Sequence, residues 1–385
     1  MKSWLLSFFL IGASILSAQQ VLPIGSWRTH FPERVGRYVT QSSEQLFYAL
    51  PQSLMILDKD ELAPKFITKA QGLSNVDIRL VRYHEPTQTL LIVYQNGVID
   101  LYRDNKVTTV NSIRNFTSIT GEKLVNDIFL YDEQTVFLAA SYGVSAFRLD
   151  NVTLPFTTFM GEANVRSAAV YQGNIYAGTE EGIYRIALDN FNPSDFGNWE
   201  WLGPDQGFPA DYATTAMAIF NDALYMGINE DLYRLEATGP QLVSDQDPVL
   251  GLQYLTAEGN HLLAGFRCVG GGCGTGRILA FDASENEKVV ANGCLGVTNN
   301  AIEDEQGRIW FGDEFGDFRF LDSVDDGQCN QFSFNSPYSE LVWDLDVADD
   351  QLWLASGALT ASRSPRFVDH GFSSFIDGQW ATYNR

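Results

Sequence analysis

Residues 299–322, NNAIEDEQGRIWFGDEFGDFRFLD, alternate their apolar and polar positions with a period of two. Ile309 and Phe311 alternate with Trp310 and Gly312, the periodicity of a strand rather than a helix. Turn-forming Glu305-Gln306-Gly307 precedes this strand and Phe315-Gly316-Asp317 follows it. Phe318 and Phe320 then resume the alternation in a second strand. The stretch reads as a small antiparallel meander, and a meander cannot bury its apolar faces alone.

The same pattern recurs along the chain. Its central apolar position falls at Phe47, Leu91, Phe137, Tyr176, Tyr225, Leu263, Trp310 and Trp353. The steps between them are 44, 46, 39, 49, 38, 47 and 43 residues, a mean of about 44, the period of a four-stranded propeller blade. Gly-led second strands recur at residues 97–101, 143–147 and 182–186, and a related strand at 231–235. The chain is therefore expected to be all-β: a seven-bladed β-propeller of about 44-residue blades over residues 19–340. The eighth unit, 341–385, breaks the rhythm with an irregular run from Gly357 to Gly371 and reads as the start of a second, truncated propeller. An eight-bladed ring is the alternative.

Residues 1–18 read as a secretory signal peptide: Lys2, an apolar run from Trp4 to Ile15, then Leu16-Ser17-Ala18. That run is too short to span a membrane, and no other stretch reaches the roughly 18 apolar residues a span needs. The Trp27-centred segment that follows precedes the first repeat, so it is expected to close the ring by completing a blade and removing a free sheet edge.

Charge narrows the partners. The 385 residues carry 25 Lys+Arg against 48 Asp+Glu, a net charge of −23. Such a chain is not expected to bind nucleic acid, because it lacks the cations that displace counterions from phosphate. An anionic ligand would need a local basic pocket.

Four cysteines in an exported chain suggest disulfides. Cys268 and Cys273 bracket a glycine-rich tip that a local disulfide could close, leaving Cys294 and Cys329. Zinc would more often show two tight pairs. Arg267 and Arg277 flank the tip and could make a local positive spot, but no Gly-Lys-Ser/Thr ending supports a phosphate loop. Trp199 and Trp201, one residue apart in the loop-rich stretch 190–211, are expected to share one face of a strand. Packing between blades is favoured over a sugar-stacking platform.

A search for catalytic groups finds little. His30, His84, His261 and His370 are scattered, and neither a Gly-x-Ser-x-Gly elbow nor a His-Glu-x-x-His motif occurs. Acidic pairs such as Asp313/Glu314 and Asp325/Asp326 are ordinary turn chemistry in so acidic a chain. No enzyme activity, cofactor or metal is expected, and the residues name no ligand-binding site.

Two sets of residues carry a resemblance. The consensus in 299–320 is similar to propeller repeats of periplasmic sensor regions in hybrid two-component regulators. The segment Pro23-Ile24-Gly25-Ser26-Trp27-Arg28-Thr29-His30-Phe31 resembles the mature start of the PorZ family, type IX secretion proteins of the Bacteroidota. Gly143-Val144, Gly182-Ile183-Tyr184 and 371–380, GFSSFIDGQW, are similar to that family's first propeller and its junction to the second. The resemblance implies an exported, non-catalytic protein of the periplasm or outer-membrane cell surface, with no transmembrane segment of its own. It would bind anionic lipopolysaccharide and deliver it to the sortase of the type IX attachment complex, with outer-membrane components as partners. The alternative is the ligand-sensing propeller of a two-component regulator. The resemblance carries over no ligand residue. It also implies that Asp322-Ser323-Val324 matches an O-glycosylation pattern.

Overall fold

A computed structural model describes residues 29–119, 121–246, 249–269, 276–290, 295–314 and 317–384. The signal peptide and Trp27 lie outside these residues. The chain is all-β, with strands gathered into four-stranded antiparallel meanders. It divides into two compact units, one of residues 33–334 and a smaller one that joins 335–384 to 29–32.

In the larger unit the sheets follow one another along the chain: I (38–67), II (78–110), III (125–159), IV (165–201), V (217–244), VI (250–290) and VII (298–332). Each is ordered first strand to fourth in sequence. Every predicted central residue sits on the second strand of its sheet: Phe47 in Gln45–Ala49, Leu91 in Thr89–Tyr94, and so on to Trp310 in Ile309–Asp313. These strands are buried on both faces, because each sheet is sandwiched between two others. Thr89–Tyr94 is buried at every position.

The apolar core lies between sheets rather than at one centre. Phe47, Ile56, Val81 and Ile92 fill the space between sheets I and II. The last such layer joins VII back to I, through Trp310, Ile302 and Phe318 against Leu46, Tyr48 and Met55. Burying such side chains contributes about 1.5–3 kcal/mol each.

Side chains also lace the first strands together. Thr40 Oγ1 accepts from Tyr83 N (3.1 Å), and Arg79 Nε donates to Val125 O (2.9 Å). Asn126 Nδ2 donates to Val165 O (2.7 Å), and Ser167 Oγ accepts from Met217 N (3.1 Å). Thr215 Oγ1 donates to Leu252 O and Thr256 Oγ1 to Ala301 O, at 2.9 and 2.5 Å. The belt returns to its start at Asn300, whose Oδ1 accepts from Val39 N (3.0 Å) while its Nδ2 donates to Val39 O (2.6 Å). Asn299 adds a bond from Nδ2 to Arg37 O (3.0 Å). Sheets I to VII each hold four strands of their own, taken consecutively from the sequence.

Sheet VIII in the smaller unit pairs Val342–Ala348, Gln351–Ser356, Phe372–Ile376 and Gln379–Tyr383. The irregular run before Phe372 contains a short hairpin, Ala358–Leu359 against Pro365–Arg366. His30 meets Phe375 at a tilt and Trp380 edge-on, and Trp380 Nε1 donates to its Nδ1 at 3.1 Å. The residues just after the Trp27 segment thus pack on the smaller unit. The division falls at Phe334/Asn335.

Candidate functional site

The first strands of the sheets surround an axial channel, and one recurring irregularity decides what its mouth presents. In sheets II, III, IV and VII, where the first strand begins, pairing with the second strand slips by one residue. The slip lies between Ile78 and Leu80, Val165 and Ser167, and Thr298 and Asn300, and opposite Ala139/Ala140 at Asn126. Each slip is a β-bulge, which leaves one residue out of the ladder and re-aims its side chain. The residues so released are Arg79, Arg166, Asn299 and Asn126, and all four line the channel or its mouth. In sheet VIII the same slip releases Trp343.

The channel encloses about 280 Å³ bordered by Tyr38, Arg82, Asp127, Ser167 and Tyr254. Its mouth widens into a cavity of about 540 Å³ lined by Arg37, Arg79 and Arg267 together with Asn126, Asn299 and Glu314. This is the local basic pocket that the overall acidity left open. Arg267 is engaged by Glu314 at 3.4 Å. Among the described residues Arg79 meets only neutral acceptors within hydrogen-bonding distance: Val125 O, Gln95 Oε1 (3.2 Å) and Asn126 Oδ1 (2.8 Å). Arg37 has a buried Nε with no hydrogen-bond partner among the described residues.

Deeper in, Arg82 pairs with Glu258, and Asp127 accepts from Ser167 Oγ at 2.7 Å. Burial pushes the Asp127 carboxyl above the usual carboxylate range, against the opposing pull of Ser167 and Arg82. Burial likewise raises the Tyr38 and Tyr254 phenols, so both remain neutral donors at any physiological pH. The arrangement can grip and orient a polar or anionic group.

A second cavity of about 720 Å³ opens on the side of sheets IV and V, bordered by Tyr171, Tyr176, Tyr225, Arg185 and Arg234. Its arginines already hold carboxylates: Arg185 pairs with Glu200, and Arg234 with Glu236 and Glu285. It has no cation to spare.

Arg267 comes to the mouth, while Arg277 stands exposed in the strand Arg277–Phe281. Cys268 and Cys329 each take part in a disulfide, and Cys273, Cys294 and the glycine-rich tip lie outside the described residues. Trp199 and Trp201 do not share a strand face. Trp199 caps a short 3-10 turn and is buried against sheets III and IV, as packing required, whereas Trp201 is on the outer strand and 37% exposed. The turn formed by Asp195 shortens the strand to two residues, which separates them.

The histidines stay apart. His84 is buried between Thr87 Oγ1 and Asp132 O, and His261 contacts Glu303 at 3.0 Å. Among the described residues no cluster of three or more His, Cys, Asp or Glu could hold a metal ion, and no helix is long and apolar enough to cross a membrane.

Sequence reasoning missed Arg37, Arg79 and Arg166. The signal available was positional, since Arg79 and Arg166 each follow the first residue of a first strand. Without the bulge, that place reads as one more outward polar position.

Residues 46–200 match the family model described as TSS9, PorZ, N-terminal beta-propeller domain. The propeller is PorZ-like. A search of curated protein sequences finds no match to the chain. The structure superposes on PorZ of Porphyromonas gingivalis, described as an essential bacterial surface component of the type-IX secretion system. The TM-score is 0.74 at 15% identity, covering 93% of this chain and 46% of that one. The chain thus spans about half the length of the solved PorZ. A chain of the mitotic checkpoint complex superposes with a TM-score of 0.55 at 11% identity, covering 77% of this chain and 92% of that one. The extracellular domain of the one-component system BT4673 from B. thetaiotaomicron gives 0.45 at 12% identity, covering 90% of this chain and 46% of that one, too loose to argue from. The regulator reading fits less well than the PorZ-like one.

Proposed function

We propose that this chain belongs to a non-catalytic component of the type IX secretion system that is exported to the cell surface. There it binds anionic lipopolysaccharide and delivers it to the surface sortase for attachment to secreted cargo. The match of residues 46–200 to the PorZ propeller carries the reading. The arginine-lined mouth supports it, because an acidic protein needs such a place to hold an anionic glycolipid. In the same reading, sheets I to VII close as a seven-bladed propeller and sheet VIII opens a second one. Support for the second part comes from the strand Val342–Ala348, whose Val342, Trp343, Leu345 and Val347 are all exposed, as a first strand would be before its neighbours pack around it.

The test is to delete the gene and to purify the tagged full-length protein from its native outer membrane. The expected result is co-purification with the sortase and lipopolysaccharide, and loss of surface-attached cargo in the deletion strain. If the protein captures neither, and cargo attachment survives the deletion, the proposal is wrong.

A further inference from the structure

We propose that the channel mouth is a binding site for an oxyanion carried on a sugar-sized ligand, held by Arg37 and Arg79 and flanked by Asn126, Asn299 and Tyr38. The first argument is charge. Of the three arginines lining the cavity, only Arg267 has a carboxylate partner there, Glu314. Arg37 and Arg79 are left without one in a chain of net charge −23, in which Arg148, Arg166, Arg185 and Arg234 each pair with an acid. Two unneutralised guanidinium groups beside one cavity are costly unless an anion visits them.

The second argument is hydrogen-bond accounting. A guanidinium carries five N–H donors in a planar fork. Arg79 spends three of them, on Val125 O, Gln95 and Asn126, and these bonds fix the group while leaving two donors over. Arg37 spends none within the described residues, and its buried Nε cannot be satisfied by bulk water. Fork-shaped donors of this kind match the paired oxygens of a carboxylate or phosphate. Burial and the like charge of Arg166 also depress the Arg79 guanidinium, against the opposing pull of Glu122 and Tyr38, so an arriving anion would favour its charged form.

The third argument is construction. Arg79 is aimed into the cavity by a bulge and held across the sheet II–III boundary, and Asn126 and Asn299 reach it by bulges of their own. At about 540 Å³ the cavity exceeds the needs of a bare ion and falls in the range that takes a small organic ligand. Tyr38 supplies a ring edge and a neutral hydroxyl for such a body, and the two asparagines supply amides for its hydroxyls. A uronic acid and a sugar phosphate share this chemistry.

The glycolipid reading enters only as one source of the ligand, so the two ideas fail separately. Purified protein is titrated calorimetrically at low ionic strength with glucuronate, glucose 6-phosphate and glucose. At least one anionic probe is expected to bind saturably, weakening with added salt, while glucose does not. Arg37→Gln should weaken binding about ten-fold or more with an unchanged melting temperature, since its guanidinium makes no hydrogen bond or ion pair within the described residues. Arg79→Lys, which keeps a charge but loses the fork, should weaken it as well, and Arg148→Gln, in an exposed ion pair elsewhere, should have no effect. Whichever anion binds tighter identifies carboxylate or phosphate. The proposal falls if neither anion binds, if glucose binds equally, or if Arg37→Gln binds like the parent. Failure of both anionic probes to bind, with lipopolysaccharide capture undiminished by Arg37→Gln, would sink this site and leave the delivery reading standing. Anion binding without lipopolysaccharide capture would do the reverse.

Discussion

Two buried carboxylates illustrate how much a residue's surroundings decide. Asp304 is fully buried yet accepts from Gln306 N (3.0 Å), Arg308 N (2.9 Å), Arg308 Nε (2.8 Å) and Trp310 Nε1 (2.8 Å). It ties the turn to the Trp310 ring, over which Arg308 lies at 5.1 Å. The sequence pattern marks Glu305-Gln306-Gly307 as the turn but gives no sign of the Asp304 carboxylate's grip on Arg308 and Trp310. Glu33 is the opposite case. It is 9% exposed and accepts from Ser53 Oγ at 2.8 Å, and burial outweighs that bond, pushing its pKa up to about 7. The folded state therefore prefers Glu33 protonated. Its contribution is fully present below the unfolded value of 4.5 and is lost as pH rises through about 7, a swing of up to about 3 kcal/mol. Glu33→Gln, which keeps an acceptor for Ser53, should match the parent in urea unfolding at pH 4.5 and exceed it at pH 8. A stability difference that does not change with pH would refute the assignment.

At the scale of strands, alternation and turn chemistry were enough to find the sheets. The central residues from Phe47 to Trp353 all landed on second strands because the order of turn, apolar strand and turn repeats, although a strand buried on both faces, such as Thr89–Tyr94, reads as a continuous apolar run rather than an alternation. Two features were not legible for physical reasons. A bulge adds one residue without changing composition, so Arg79 and Arg166 looked like ordinary outward positions. The Asn299-Asn300 pair, visible in the repeat, gave no hint that its amides would bond to a strand 261 residues away. That contact also explains the glycine two residues after Trp310. A Cβ on Gly312 would lie 2.9 Å from Tyr38 Cα and 3.0 Å from Arg37 O, so the backbones of sheets VII and I meet there. Asn300→Ala should destabilise by about 3 kcal/mol, because it leaves both buried polar groups of Val39 unpaired. Gly312→Ala should cost about 1–3 kcal/mol through overpacking at the same seam. In chemical denaturation the double variant should lose less than the sum, since both open one interface. Strict additivity would mean that the seam is not a unit.

For the whole molecule, the open question is what holds sheet VII to sheet I. Sequence reasoning assigned that role to the Trp27 segment, on the general ground that a ring needs strands from both chain ends to lock. That segment lies outside the described residues; within them sheet VII is held to sheet I by complete four-stranded sheets on both sides, the apolar layer of Trp310, Phe318, Leu46 and Met55 between them, and the Asn299-Asn300 bonds across the seam. Each term is local to residues 33–334, so that segment should carry its own closure. Expressed alone under oxidising conditions, residues 33–334 should unfold in one cooperative transition, with the near-UV signal of buried tryptophan and a midpoint within a few degrees of the parent's corresponding transition. Hydrogen exchange should find the amides of Val39 and Ile302 as protected as in the parent, because both lie on the seam and neither depends on the missing termini. If the ring relied on the Trp27 strand, the fragment would instead expose a sheet edge, and edges recruit other chains. Aggregation of the fragment, or rapid exchange confined to sheets I and VII, would then transfer the closing role back to the N-terminal segment.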